Sequence, residues 1–148
     1  MPSIWKKPTD LKLINSFNAG CMVGHIGISF TAITDDSLTA TMPVDERTTQ
    51  PLGLLHGGAS ATLLETVASV AATWAVEEDS FCVGVELNIN HLKAKRSGQV
   101  AATARPLRIG GSLHVWQVDI VDEQEQLVSS GRLTLAVRQR KQGGSHGS

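Results

Sequence analysis

Cysteine is scarce. Cys21 and Cys82 are the only two in 148 residues, they lie far apart, and neither belongs to a Cys-x-x-Cys pair. A disulfide framework and a zinc ribbon are therefore not expected, and both side chains read as reduced thiols. No apolar run approaches the roughly 20 residues of a membrane span, and the opening MPSIWKKPTD lacks an apolar stretch of signal-peptide length. The expectation is a cytoplasmic chain with no membrane partner. A formal charge of -1 argues against a strongly basic nucleic-acid binder and against an acidic disordered tail. His25, His56, His91, His114 and His146 form neither a His-x-x-x-His pair nor a three-ligand cluster, so no metal is expected. Repeats and linkers are missing too. The length suits one domain with one core, over 1–138, followed by a Gly- and Ser-containing flexible tail, 139–148.

What is present has a clear order. Thr9 is placed to cap a short helix, LKLINSF, whose Leu11, Ile14 and Leu13, Phe17 fall at helical spacing. Between Ile26 and Met42 apolar residues alternate on either side of Asp35 and Asp36, the pattern of a hairpin. Asp45 to Leu55, with Pro51 and Gly53, reads as a loop entering a long helix near His56 or Gly57. Phe81, Val83, Val85, Leu87, Ile89 and His91 then occupy every second position, which predicts a strand with those side chains on one face. Extended segments follow near 98–107, 113–122 and 127–137.

The long helix poses the functional question. From Gly57 to Val76 the only charged side chain is Glu65, among Ala, Ser, Thr, Leu, Val, Gly and Trp. That is the composition of a helix buried on every side, and a lone carboxylate there would lose its hydration. Such a cost persists where the acid has a partner or a chemical role. A helix apolar all round must be surrounded, and one antiparallel sheet curled around it is the simplest arrangement that does so. The expected fold is α+β, of the hotdog kind.

QPLGLLHGGASATLLE, followed by the alternating strand that ends in NINHLKAKRSG, resembles the hotdog-fold acyl-CoA thioesterases. Within that family the likeness is to the enzymes that hydrolyse 1,4-dihydroxy-2-naphthoyl-CoA in menaquinone biosynthesis and to those that clear misacylated aryl carrier proteins. It extends from about Ile4 to Val137. The resemblance implies hydrolysis of an aromatic acyl-CoA. The alternatives are proofreading of an aryl carrier protein, a hotdog dehydratase, or an acyl-CoA-binding domain without turnover.

Thioester hydrolysis needs an attacking oxygen and donors aimed at the oxygen that becomes negative. His56, Gly57 and Gly58 open a helix, where N–H groups lack helical partners and the dipole favours an anion. Gly57, with no side chain, would let a thioester approach its N–H; alternatively the two glycines serve close packing. Glu65 suits a general base or a nucleophile. It lies eight residues beyond Gly57, roughly 12 Å along the axis, too far for one carbonyl to meet both. The resemblance resolves this by pairing the acid of one subunit with the helix start of another, in a homodimer or dimer of dimers with sites between subunits. It further implies that Gln50 orients the thioester and that His56 donates near its carbonyl or sulfur; on residue grounds alone His56 is equally a cap. Ser69, four residues after Glu65, either binds the carboxylate or water or is a small packing residue.

Charge is uneven where CoA would bind. Between Leu87 and Val118 there is no Asp or Glu, while Lys93, Lys95, Arg96, Arg105 and Arg108 all fall there. That segment suits phosphates, or else is a charged edge that discourages aggregation. The resemblance places CoA contacts at Gly84, at His91, Leu92, Lys93 and Ala94, and at Arg108, Ile109, Gly110, Gly111, Ser112 and Leu113, with Arg96 nearby. Neither a GxGxxG after a strand nor a GxxxxGK motif occurs, so the expected CoA is part of the substrate and not a separate cofactor.

Overall fold

The computed structural model describes residues 2–141. In chain order the elements are α1 (Leu11–Asn18), α2 (Met22–His25), β1 (Ser29–Ile33), β2 (Leu38–Pro43), α3 (Gly57–Trp74), β3 (Ser80–His91), β4 (Gln99–Ile109), β5 (Leu113–Val121) and β6 (Leu127–Gln139). Six antiparallel strands form one sheet in the order β1-β2-β4-β5-β6-β3. The strand that follows α3 therefore crosses to the far edge instead of pairing with β4. The expected single sheet around a long helix is present.

α3 buries Ser60, Leu63, Leu64, Val67, Ala68, Ala71 and Ala72 against the sheet, a stripe with spacings of three and four. Leu63, Leu64 and Val67 are wholly buried, and each such side chain contributes roughly 1.5–3 kcal/mol by leaving water. The expectation of a helix buried on every side fails within this chain. Glu65 is exposed, and Ala61, Thr62, Thr66, Ser69 and Val70 beside it are only half-buried. Small side chains on that outer face made the composition look uniformly interior.

Three local expectations are corrected. Asp10, not Thr9, caps α1, its carboxylate accepting from the Lys12 and Leu13 N–H groups. Asp satisfies two orphan donors of the first turn from that position. Ile26 belongs to the end of the short helix α2, so β1 starts only at Ser29. In β3 the register shifts between Gly84 and Glu86. Before that bulge Ser80 and Cys82 are buried while Val83 is exposed, as is Val85 in the bulge itself, and after it Leu87, Ile89 and His91 face α3. One inserted residue reverses the face of every side chain beyond it.

The N-terminal segment closes the far end of α3. Lys7 donates to the Thr73 and Ser80 carbonyl oxygens at 2.6 and 2.7 Å, and Lys6 N–H donates to Trp74 O. These donors satisfy carbonyls that a helix end leaves open. At the other terminus β6 runs through Gln139, and Arg140 N–H donates to Asp79 O. Of the tail expected over 139–148, residues 142–148 lie outside those described.

Candidate active site

The loop before α3 is built on Thr48. Its buried hydroxyl donates to Pro43 O at 2.8 Å and accepts Asp45 N–H, while its carbonyl accepts His56 N–H at 2.8 Å. Gln50 is held in the turn that follows, its Oε1 accepting from Leu52 and Leu54 N–H and its own N–H donating to Leu54 O. Leu55 N–H donates to Lys95 O at 2.7 Å, tying this loop to the segment after β3.

His56 caps α3, its Nδ1 accepting Gly58 N–H at 2.7 Å. A neutral ring that accepts at Nδ1 carries its proton at Nε2. The carbonyl of His56 takes the N–H groups of Ala59 and Ser60. Gly57 N–H is left without an acceptor among the described residues. It is therefore the open donor at a helix start, where the dipole favours a developing negative charge. The space beside Gly57 Cα is not open, contrary to expectation. His91 Nε2 lies 2.7 Å from where a Cβ would stand, so the missing side chain makes room for an imidazole.

Gln50, Gly57, Ser60, His91, Leu92, Lys93, Ala94 and Ser129 line one cavity of about 350 Å³. Six residues expected at the site are thus brought together: Gln50, Gly57 and His91 to Ala94. His56 is not among them; its side lines a separate cavity of about 260 Å³ with Arg47, Thr49 and Thr62. Arg96 stands beside the same loop, donating to Leu52 O at 3.3 Å.

A second group lies apart from these. Glu65 projects onto β3 at Gly84, where its Oε2 occupies the place a Cβ would take. It has no ion-pair partner among the described residues. Ser69 is one turn further along α3 and half-buried. Gly84 is opposite Leu135 on β6, and Leu135 in turn is opposite His114 on β5, so the Gly110–Ser112 turn and Leu113 stand at this end of the sheet. His91, opposite Ser129, is at the other end. The residues expected at the site thus fall into two separate groups, one at the start of α3 and one around Glu65.

The basic segment is smaller than its composition. Lys93 pairs with the buried Asp122 at 2.6 Å and also donates to Gln126 Oε1; Lys95 pairs with Glu123 at 2.5 Å. The lysine beside Asp122, with the Gln126 and Gln124 N–H groups, holds its carboxyl below the usual range. Glu123 is lowered to about 2 by Lys95 and by the Gln99 N–H. Arg96, Arg105 and Arg108 have no ion-pair partner among the described residues. The acids come from the β5–β6 turn, some 28 residues away in sequence.

Ser129 went unnoticed in the sequence. It is buried on β6, and its Oγ lies 3.2 Å from His91 Nδ1. Adjacent serines in VSSG hide the alternation that would have marked it as facing inward.

Residues 52–129 match the family model described as the thioesterase superfamily. The 1,4-dihydroxy-2-naphthoyl-CoA hydrolase of Escherichia coli is 47% identical over 90% of this chain and 98% of its own length. The proofreading thioesterase EntH of Cronobacter sakazakii is 43% identical over 90% of this chain and 98% of its own. A crystal structure of a thioesterase from Haemophilus influenzae superposes with a TM-score of 0.93 at 43% identity, covering 97% of this chain and 99% of that one.

Proposed function

The chain belongs to the thioesterase superfamily and is a thioester hydrolase of hotdog fold, and from that premise we propose that it hydrolyses an aromatic acyl-CoA, 1,4-dihydroxy-2-naphthoyl-CoA first among them. The two groups, taken as half-sites, carry the reading. Gly57 offers a free N–H to the thioester oxygen, and Glu65 offers an unpaired carboxylate. As general base Glu65 takes a proton from water, whose oxygen attacks the acyl carbon; the C–S bond breaks and the thiolate leaves and is protonated. As nucleophile its own oxygen attacks the acyl carbon, the C–S bond breaks and the thiolate leaves to be protonated, and water then opens the resulting anhydride to release the acid and restore the Glu65 carboxylate.

Both routes need the half-sites of two chains. β3 is 12 residues long and among the described residues pairs only with β6, so its outer edge is open there, with Val83 and Val85 exposed beside it. A long open edge invites a second strand. An isologous antiparallel pair of β3 strands centred on Asn88, which the bulge makes the midpoint of the ladder from Gly84 to His91, sets Gly84 and the Glu65 resting on it opposite His91 of a second copy. The acid then meets the Gly57 of that copy, and Gln50 and Ser69 flank the thioester from opposite chains. CoA phosphates fall to Arg96 and Arg108, the arm to His91 to Ala94 and the Gly110–Leu113 turn.

The acyl group is supported by the 1,4-dihydroxy-2-naphthoyl-CoA hydrolase at 47% identity; the EntH relative at 43% supports an aryl carrier protein as the second substrate. A thiol-trapping assay over aromatic, short-chain and long-chain acyl-CoAs, with an aryl carrier protein thioester alongside, separates them. The naphthoyl thioester is expected to show the highest kcat/KM. Glu65→Gln should lower kcat by roughly 10²- to 10⁴-fold. A folded Glu65→Gln protein that turns over at the wild-type rate would remove the acid from the mechanism.

A further inference from the structure

Resting on the reading that Gly57 N–H receives the thioester oxygen, we propose that Ser129 is a positioning residue whose hydroxyl donates to His91 Nδ1 and so presents His91 Nε2–H as a second donor to that oxygen. His91 on β3 and Ser129 on β6 are direct register partners, and both turn toward the start of α3. Ser129 is 1% exposed. Its hydroxyl therefore has almost no access to water, and His91 Nδ1 at 3.2 Å is its one hydrogen-bond partner among the described residues. When that hydroxyl donates, the neutral imidazole must carry its proton on Nε2.

Nε2 is where a donor is needed. It stands 2.7 Å from the Cβ position of Gly57. Cβ and N on one tetrahedral carbon are about 2.5 Å apart, so Nε2 and the free Gly57 nitrogen are at most about 5 Å apart. One oxygen about 2.9 Å from each donor fits between groups at that separation. Both line the same cavity with Gln50. His56, the histidine adjacent in sequence, has its Nδ1 committed to Gly58 and lines a different cavity. No acid of the same chain competes for the ring proton, since Glu65 lies at Gly84 and Asp122 is held by Lys93. The Glu65 that the β3 pairing brings from a second copy meets the Nε2 side of the ring, where a carboxylate can only accept and so keeps the proton on Nε2. Glycine at 57 is then required for the second donor to come close.

Removing a single donor from such a pair typically costs 10²- to 10³-fold in kcat. Ser129→Ala leaves the ring in place and removes only what orients it, so a fall of about 10- to 100-fold in kcat is expected, with KM for a pantetheine thioester within about threefold. Ser129→Thr, which keeps the hydroxyl, should return most of the rate. Adding Ser129→Ala to His91→Gln should change little, because the serine acts through the ring. The tautomer is read separately on the unaltered protein by long-range proton–nitrogen NMR, and a proton at Nε2 is expected whether or not any variant folds. A proton at Nδ1 overturns the proposal, as does a Ser129→Ala protein with wild-type kcat, or one in which KM alone rises. Failure of the underlying reading looks different: His91→Gln, which removes the ring beside Gly57 altogether, would then also turn over at the wild-type rate.

Discussion

His114 shows how one residue can set a pH limit on a fold that has no need of it for chemistry. It is wholly buried on β5, and Trp116 Nε1–H donates to its Nδ1 at 3.1 Å. An indole nitrogen only donates, so the ring is neutral with its proton on Nε2, and that buried atom has no partner among the described residues. Burial lowers its pKa below the ordinary value of 6.5. Protonation would set an N–H on Nδ1 against the indole N–H. Since the unfolded chain takes up the proton first, stability is full above pH 6.5 and is lost as pH falls below it toward the lowered folded value. Urea midpoints at pH 7.5 and 5.5 should differ more for the wild-type protein than for His114→Gln. Equal differences would show that His114 does not titrate on unfolding. Gly57 and Gly84 carry the other lesson at this scale. At each, a neighbouring side chain, His91 or Glu65, stands where a Cβ would be.

The β5–β6 turn is an element whose role only the fold reveals. Asp122 accepts from Gln124 and Gln126 N–H and Lys93, and Glu123 accepts from Lys95 and Gln99 N–H. The turn therefore neutralises two of the five bases that looked available for phosphates. Arg108→Gln should raise KM for CoA thioesters several-fold with little change for pantetheine thioesters, and added salt should mimic it. Lys93→Gln should instead lower stability, because it strips the partner from buried Asp122. A Lys93→Gln protein with unchanged melting temperature but a selective rise in KM for CoA would return Lys93 to the phosphate site. The pairing spans 28 and 29 residues of sequence, so no window of the sequence contains both signs.

At the scale of the molecule, the proposed site draws on two groups of residues at opposite ends of β3, and the proposal therefore needs a second chain. Glu65→Ala and Gln50→Ala each damage a different half. If the site lies between subunits, a mixed dimer has one site with both defects and one with neither. With random assortment about half the dimers are mixed, so activity should recover to about a quarter of wild type when each parent is nearly inactive. Co-expression supplies the mixture, because an interface built on strand and helix surfaces would exchange slowly. Heterodimers confirmed by mass spectrometry and still as inactive as their parents would confine the site to one chain.

Periodicity determined the hairpin and the strands, because a repeat of two residues records which side of a strand meets the core. The long helix from Gly57 and the single sheet around it followed instead from an apolar composition that small residues on the helix's outer face made look more buried than it is. The lone Glu65 and the Gln50–Gly58 loop were legible for a related reason: a charge or a glycine pair inside an apolar run needs a cause that local structure does not provide. Only the tertiary structure decided the rest. The bulge at Gly84 reversed one face of β3, Asp122 and Glu123 crossed the sheet to meet Lys93 and Lys95, and Ser129 came to stand behind His91. Each depends on register between strands distant in sequence, and register is set by the packed sheet as a whole, not by any one segment.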